Sequence, residues 1–253
     1  MIIIKSKKEI EVMREGGKLL AQIMEQLGGI IIPGQNTFEI NKLARKLVFD
    51  NGGFPIFEGY GAQGNAFPTA ICTSINNEIV HGIPKKSRIV HDGDLVKIDI
   101  GMTYKGMITD MARTYSVGKI SIEAQRILDI TRECLEEGLR TIKAGSKLSD
   151  YGKAVEAHAK LHGFSVVREL VGHGVGRELH EDPQIPNYSS AMREIILQEG
   201  MTLALEPMIN AGTHYIKVSG DGWTYATKDG KLSAHFEDTI VVTKNGVEIL
   251  TRV

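Results

Sequence analysis

Asp99 and Asp110 lie eleven positions apart in the stretch from Asp94 to Tyr115, which alternates and is rich in β-branched residues, so it predicts two strands joined near Tyr104-Lys105-Gly106. Val96, Ile98 and Ile100 share one face, which leaves Asp99 on the other. A loop of two or four residues would set the two aspartates directly opposite each other, with Cβ atoms roughly 5 Å apart. Like charges that close destabilise a hairpin unless a cation lies between them. A three-residue loop ending at Gly106 would instead separate them onto opposite faces unless a bulge restored the register. The turn chemistry leaves both registers open, and two solvated strand carboxylates are the plain alternative.

Further along, Val171-Gly172-His173-Gly174-Val175-Gly176 sets a histidine among glycines, where backbone can approach a ligand closely. His180 follows seven residues later, in a loop with Asp182-Pro183. Glu206 interrupts the apolar run Thr202–Leu205 before Pro207, and a buried glutamate must be paired, protonated or metal-bound. In Ala234–Val242, Glu237 and Asp238 precede another apolar run, which an exposed edge strand would also explain. Asp99, Asp110, His173, Glu206 and Glu237 thus offer four carboxylates and one imidazole on predicted strands or strand ends, a set suited to hard or borderline divalent metals. Four negative charges balance two divalent ions, which favours a two-metal site over a single ion.

The elements that must position these groups are legible in outline. Ser6-Lys7-Lys8-Glu9 is a capping-box pattern, and Ile10, Met13, Gly17, Leu20, Ile23 and Leu27 follow at helical spacing, predicting a helix over Lys7–Leu27. A second helix follows the Gln35-Asn36-Thr37 cap region and closes at Asn51-Gly52-Gly53. The same order recurs from Ser121: Gly34 and Gly145, Ile31 and Ile142, and Gly52 and Gly163 are each 111 positions apart. The expected fold is therefore α+β, a single domain over residues 1–253, with two related halves whose strands line a shared cleft. Lys plus Arg is 30 and Asp plus Glu is 31, a balance that gives no electrostatic argument for nucleic acid or a membrane surface. Met1–Ile4 is cut off by Lys5, Lys7 and Lys8, too short for a signal peptide, and no run approaches ~20 apolar residues, so the cytoplasm is the expected location. Cys72 and Cys134 are too few for a disulfide framework, and Cys134 fits a helix core.

His81-Gly82-Ile83-Pro84, Asp99 with Asp110, Gly172–Gly176, His180-Glu181-Asp182-Pro183, Glu206-Pro207 and Phe236-Glu237-Asp238-Thr239, in that order, resemble the methionine aminopeptidases of the short, bacterial-like type I, over Ser6 to Leu250. The resemblance implies the pita-bread (creatinase/aminopeptidase-like) fold: a pseudo-twofold pair of halves with a curved antiparallel sheet flanked by helices. It implies Asp99, Asp110, His173, Glu206 and Glu237 as ligands of two divalent ions (Co, Mn, Fe or Zn), with Asp110 and Glu237 bridging and Glu206 as proton shuttle. His180 would donate to the scissile carbonyl oxygen and His81 would position the substrate; Phe67, Cys72 and Trp223 would line the pocket for the first side chain. Asn76 and Ser233 resemble positions lining a monovalent-cation site. The implied substrate is the N-terminal methionine of nascent chains leaving the ribosome, handled by a monomer. Phe67 and Leu179 depart from the family's commoner residues and bear on the pocket's shape.

Two other readings fit parts of this pattern. An X-Pro peptidase of the same fold would use the same five ligands but usually carries an added N-terminal domain, whereas the first helix here begins near residue 7. A non-catalytic binding module on this fold would be free to lose ligands, yet all five are present.

Overall fold

The computed structural model describes residues 1–62, 64–191 and 194–253. The first half contains α1 (Lys7–Gly28), α2 (Thr37–Asp50), β1 (Phe54–Pro55), β2 (Cys72–Ile75), β3 (Glu78–Val80), β4 (Leu95–Tyr104) and β5 (Met107–Ser116). In the second are α3 (Ile122–Leu139), α4 (Leu148–Leu161), β6 (Ser165–Val166), β7 (Gly172–Gly174), β8 (Glu181–Ile185), β9 (Thr202–Leu205), β10 (Met208–Asn210), β11 (Ile216–Val218), β12 (Tyr225–Thr227), β13 (Ser233–His235), β14 (Glu237–Val242) and β15 (Val247–Ile249). The central antiparallel sheet runs β1-β4-β5-β14-β9-β7-β8, with β2 on β4 and β15 on β14, so the halves join where β5 pairs with β14.

Ser6 caps α1 as its pattern predicts: the side chain accepts from Glu9 N–H at 3.3 Å, and the Glu9 carboxylate accepts from Ser6 N–H at 2.8 Å. The apolar stripe of α1, Leu20, Ile23, Met24 and Leu27, packs with Ile40, Ala44 and Val48 of α2 on Val96, Ile98, Ile100 and Met111 of the sheet. Burying each such side chain is worth roughly 1.5–3 kcal/mol. Behind the second half, Ile127, Leu135, Tyr151 and Val155 of α3 and α4 pack on Leu203, Leu205, Ile240 and Val242. Alternation then turns Ala204, Glu237, Asp110 and Ala112 toward the opposite face.

The duplication is real at the level of backbone. α4 repeats α2 and β6 repeats β1 at the 111-residue spacing, end for end. Gly34 and Gly145 have φ of 89° and 87°, Gly52 and Gly163 75° and 82°, and the isolated bridges Asn36–Ile89 and Lys147–Ile196 start from equivalent residues.

The β4–β5 register is neither of the two that the turn residues left open. Lys105 and Gly106, at φ 47° and 82°, form a two-residue turn that pairs Tyr104 with Met107, so Asp99 lies opposite Ala112 and Asp110 opposite Gly101. Two successive left-handed residues match the right-handed twist of the strands, which fixes the turn one residue later than direct opposition requires. The shift is an even one, so both aspartates stay on one face as diagonal neighbours.

Candidate metal centre and its pocket

Two adjacent rows across the sheet carry the acids. In one row Cys72, Asp99, Ala112 and Glu237 are successive cross-strand partners on β2, β4, β5 and β14. Glu206 stands just past the end of β9, next to Leu205, which pairs with Asp238. In the other row Asp110 neighbours Thr239, whose hydroxyl accepts from Asp110 N–H at 2.9 Å; Thr239 pairs with Ala204, and Ala204 with His173 of β7. Ala112 and Ala204 are the small residues between the donors, and their methyl groups leave room above the sheet. Glycines flank His173 because strands crowd it: a Cβ on Gly172 would meet Ala204 O at 2.5 Å, and one on Gly174 would meet Asp182 O at 2.3 Å.

Asp110, His173 and Glu237 present donor atoms within 4.8 Å of one another. His173 Nε2 lies 3.6 Å from Glu206 Oε1. Asp99 Oδ1, Asp110 Oδ1 and Glu237 Oε1 are buried and have no hydrogen-bond partner. Three orphaned carboxylate oxygens in one dry place are what a cation would satisfy, and the donor set fits one. Burial pushes the carboxyls of Asp99, Glu206 and Glu237 well up, each helped by its acidic neighbours, and burial alone raises Asp110 to about 7. Burial, then His180, lowers His173 to about 3, so its ring is neutral and can ligate. His173 Nδ1 lies 2.9 Å from Gly174 O; donation there leaves the Nε2 lone pair facing the acids.

The predicted auxiliary residues converge on the same cavity. Its walls include Phe67, Cys72, His81, His180 and Trp223, together with Phe57, Tyr60 and Leu179. Phe67 and Trp223 meet edge to face, centroids 5.2 Å apart, and the Asp221 carboxylate accepts from Trp223 N–H at 3.1 Å to hold that loop. His81 sits at φ 57°, its Nδ1 buried without a partner, and burial, then His180, lowers its pKa to about 4. His180 stacks edge-on against His173, centroids 4.4 Å apart. The Glu181 carboxylate accepts from Arg177 N–H at 2.7 Å and is salt-bridged to buried Lys5, which pins the loop that carries His180.

Four supporting residues were missed in the sequence. Tyr60 reaches His180 Nδ1 at 2.5 Å from a glycine-rich loop that gives no periodic signal. Tyr151 of α4 donates to Asn187 Oδ1 at 2.9 Å, and Asn187 Nδ2 donates to Glu206 O at 3.1 Å, so a helix core residue steadies the glutamate. His235 places Nε2 3.6 Å from Glu206 Oε2 and 4.0 Å from Glu237 Oε2, and neither ring nitrogen has a hydrogen-bond partner. Its spacing of two from Glu237 was the available signal. The Asn76 and Ser233 carbonyls, expected beside a monovalent cation, instead accept from Lys97 Nζ at 2.7 and 2.8 Å. Lys97, tethered to β4, is the donor those two carbonyls meet, which corrects that expectation.

A curved antiparallel sheet with buried acids and neutral imidazoles on one face, beside an apolar slot, defines a metal-dependent hydrolase of the pita-bread fold. A profile of metallopeptidase family M24 matches residues 11–244, and the chain belongs to that family. It is 47% identical to methionine aminopeptidase 1 of Bacillus subtilis over 253 residues, all of both chains. It is 41% identical to methionine aminopeptidase of Escherichia coli K12, covering 99% of this chain and 94% of that one. Among solved structures, methionine aminopeptidase of Thermotoga maritima superposes at a TM-score of 0.96 and 42% identity over the whole of both chains. The prolidase of Pyrococcus furiosus gives 0.78 at 25% identity, over 99% of this chain but only 66% of the longer prolidase.

Proposed function

We propose that residues 1–253 form one catalytic unit that removes the N-terminal methionine of polypeptides, working on two divalent ions. The supporting observation is the pair of sheet rows that bring Asp99, Asp110, His173, Glu206 and Glu237 to one dry face with three carboxylate oxygens unpartnered. Those five residues would hold the ions, Asp110 and Glu237 from the two strands that join the halves. Bound there, divalent ions lower the pKa of water toward ~7.

The remaining chemistry belongs to side chains. Glu206, at the edge of the acid cluster, takes the proton of the attacking water and passes it to the leaving amine. Donation from the Tyr60 phenol to His180 Nδ1 puts the ring proton on Nε2, where it can meet a carbonyl oxygen as it gains charge. Burial keeps His180 neutral by lowering its pKa, so this donor transfers no charge of its own. His81, on the wall of the same cavity, positions the substrate near the leaving nitrogen. The unbranched thioether of methionine fits the slot of Phe57, Phe67, Cys72, Leu179 and Trp223. The acids above it attract a free α-amine, which restricts cutting to an N-terminus. We place the enzyme in the cytoplasm as a monomer acting on chains leaving the ribosome; among the described residues no helix is long and apolar enough to cross a membrane.

Metal-stripped protein reloaded with Mn(II), Fe(II) or Co(II) and given Met-Ala-Ser, Ala-Ala-Ser and Ala-Pro tests the proposal. Cleavage of Met-Ala-Ser alone is expected. Cleavage of Ala-Pro alone would assign an X-Pro peptidase, and no metal-dependent turnover would leave a binding module.

A further inference from the structure

A second cluster of metal-ligating side chains lies behind the sheet, away from the pocket. Glu133 projects from α3, His158 from the last turn of α4, and His162 forms that helix's C-cap. One donor atom from each falls within 4.8 Å of the other two. His158 Nε2 is 2.9 Å from Glu133 Oε2, and the two imidazole centroids are 4.7 Å apart at 47°. The i,i+4 spacing of the histidines puts both on one side of the helix, facing the glutamate across the α3–α4 contact.

Packing does not require these residues. The equivalent positions in the first half, 111 residues earlier, are Gln22, Leu47 and Asn51, and the duplicated helix pair α1–α2 forms without them. Arg126 donates to His162 O at 3.2 Å, engaging the backbone and leaving the ring free. Neighbouring Cys134 points inward, its Sγ 3.7 Å from Val155 O, and is not a ligand. His158 is 18% exposed at the side chain and Glu133 52%, so an ion can enter from solvent while one ligand stays shielded.

We propose that Glu133, His158 and His162 bind one borderline divalent transition ion of the zinc, nickel or copper kind, separate from the catalytic centre. Two imidazoles and a carboxylate suit such ions, and the open side accepts water as a fourth ligand. The bound ion braces α3 against the C-terminal end of α4. Because both helices pack on the face of the sheet opposite the pocket, occupancy changes stability and leaves turnover alone.

The test uses the active, Mn(II)-loaded enzyme, titrated calorimetrically with Zn(II) and melted with and without it, in wild type, His158→Ala and His162→Gln. One more zinc equivalent is expected in the wild type than in either variant, or the same equivalent bound at least ~10-fold more weakly in the variants. The zinc-dependent rise in Tm should disappear in both, with hydrolysis of a methionyl peptide unchanged. Equal stoichiometry, affinity and Tm rise in all three proteins overturns the site, as does loss in only one variant, since the assignment needs all three ligands. Should His158→Ala melt lower without zinc, His162→Gln decides, because it alters only the ring beyond the helix end. None of these outcomes bears on the aminopeptidase reading, whose readout is peptide cleavage.

Discussion

The two halves share their rear and differ at their front. Behind the sheet, α2 and α4 are both 14 residues long and the turn glycines take matching left-handed conformations. On the front, the first half presents Asp99 and Asp110 from one unbroken hairpin of two 10-residue strands. The second half presents His173 and Glu237 from short strands, Glu206 from just past the end of β9, and His180 from the loop between β7 and β8. Helix packing tolerates little change, so the rear keeps the period of the duplication. The acids need only rigid strands, whereas on the proposed mechanism the donor histidine has to face a substrate above the sheet, and a loop supplies that height. Front and rear should therefore separate experimentally: front changes should cost turnover, rear changes stability.

Removing metal should have the largest effect. Chelation is expected to abolish turnover and expose a pH dependence in the apo protein. Asp110 has its folded pKa raised to about 7 from 3.8, so the folded state holds a proton the unfolded chain has lost in that window. The Asp110 contribution to apo stability should then fall as pH rises through it, against an opposite contribution from buried His81 and His173, whose pKa values are lowered to about 4 and 3, and divalent metal should raise Tm most near neutral pH. A metal-dependent rise in Tm no larger near neutral pH than at pH 5 would contradict the buried, unpaired acids.

Glu206→Gln comes next, with kcat down by roughly 10²–10⁴-fold and the fold intact by circular dichroism. Near-normal turnover would remove its role as proton shuttle. His180→Ala should cost about 2.7–4 kcal/mol of transition-state stabilisation, seen in kcat more than KM. Tyr60→Phe, which only frees the tautomer of that ring, should cost about 1 kcal/mol in kcat; equal losses in the two variants would show that the tyrosine does more than orient.

At the rear, Tyr151→Phe leaves the buried Asn187 Oδ1 without its donor and should lower stability by about 1–3 kcal/mol in urea titration. A small fall in kcat through Glu206 is expected as well, which would mark where rear and front touch. Ser6→Ala should have the smallest effect, about 0.5–2 kcal/mol of stability from the lost α1 cap, with kcat/KM unchanged. A change in kcat/KM there would mean that the front is not mechanically separate.

Much of this was legible before folding because the signals are local. The capping box, the helical stripe over α1, the glycine pairs at equal spacing and the acids interrupting apolar strands are all written within a few residues of the groups they describe. The hairpin register stayed open for a local reason too: Lys105-Gly106 turns one residue later than direct opposition of Asp99 and Asp110 needs, and the residues around it allow either placement. Tyr60, Tyr151, Asn187 and Lys97 gave no readable function, because each acts on a partner far away in the chain, whereas His235 had a near signal in Glu237 that was passed over.

The amino-acid order by itself determined which residues can ligate and which segments form helices or strands, since residue chemistry and short-range periodicity suffice for both. Tertiary structure decided that acids from two halves share one face, that His173 and His180 lie ring to ring, and that a lysine holds the Asn76 and Ser233 carbonyls. Those outcomes depend on strand register and on burial, which shifts the proton affinity of every group in the site, and both exist only once the β5–β14 junction has closed.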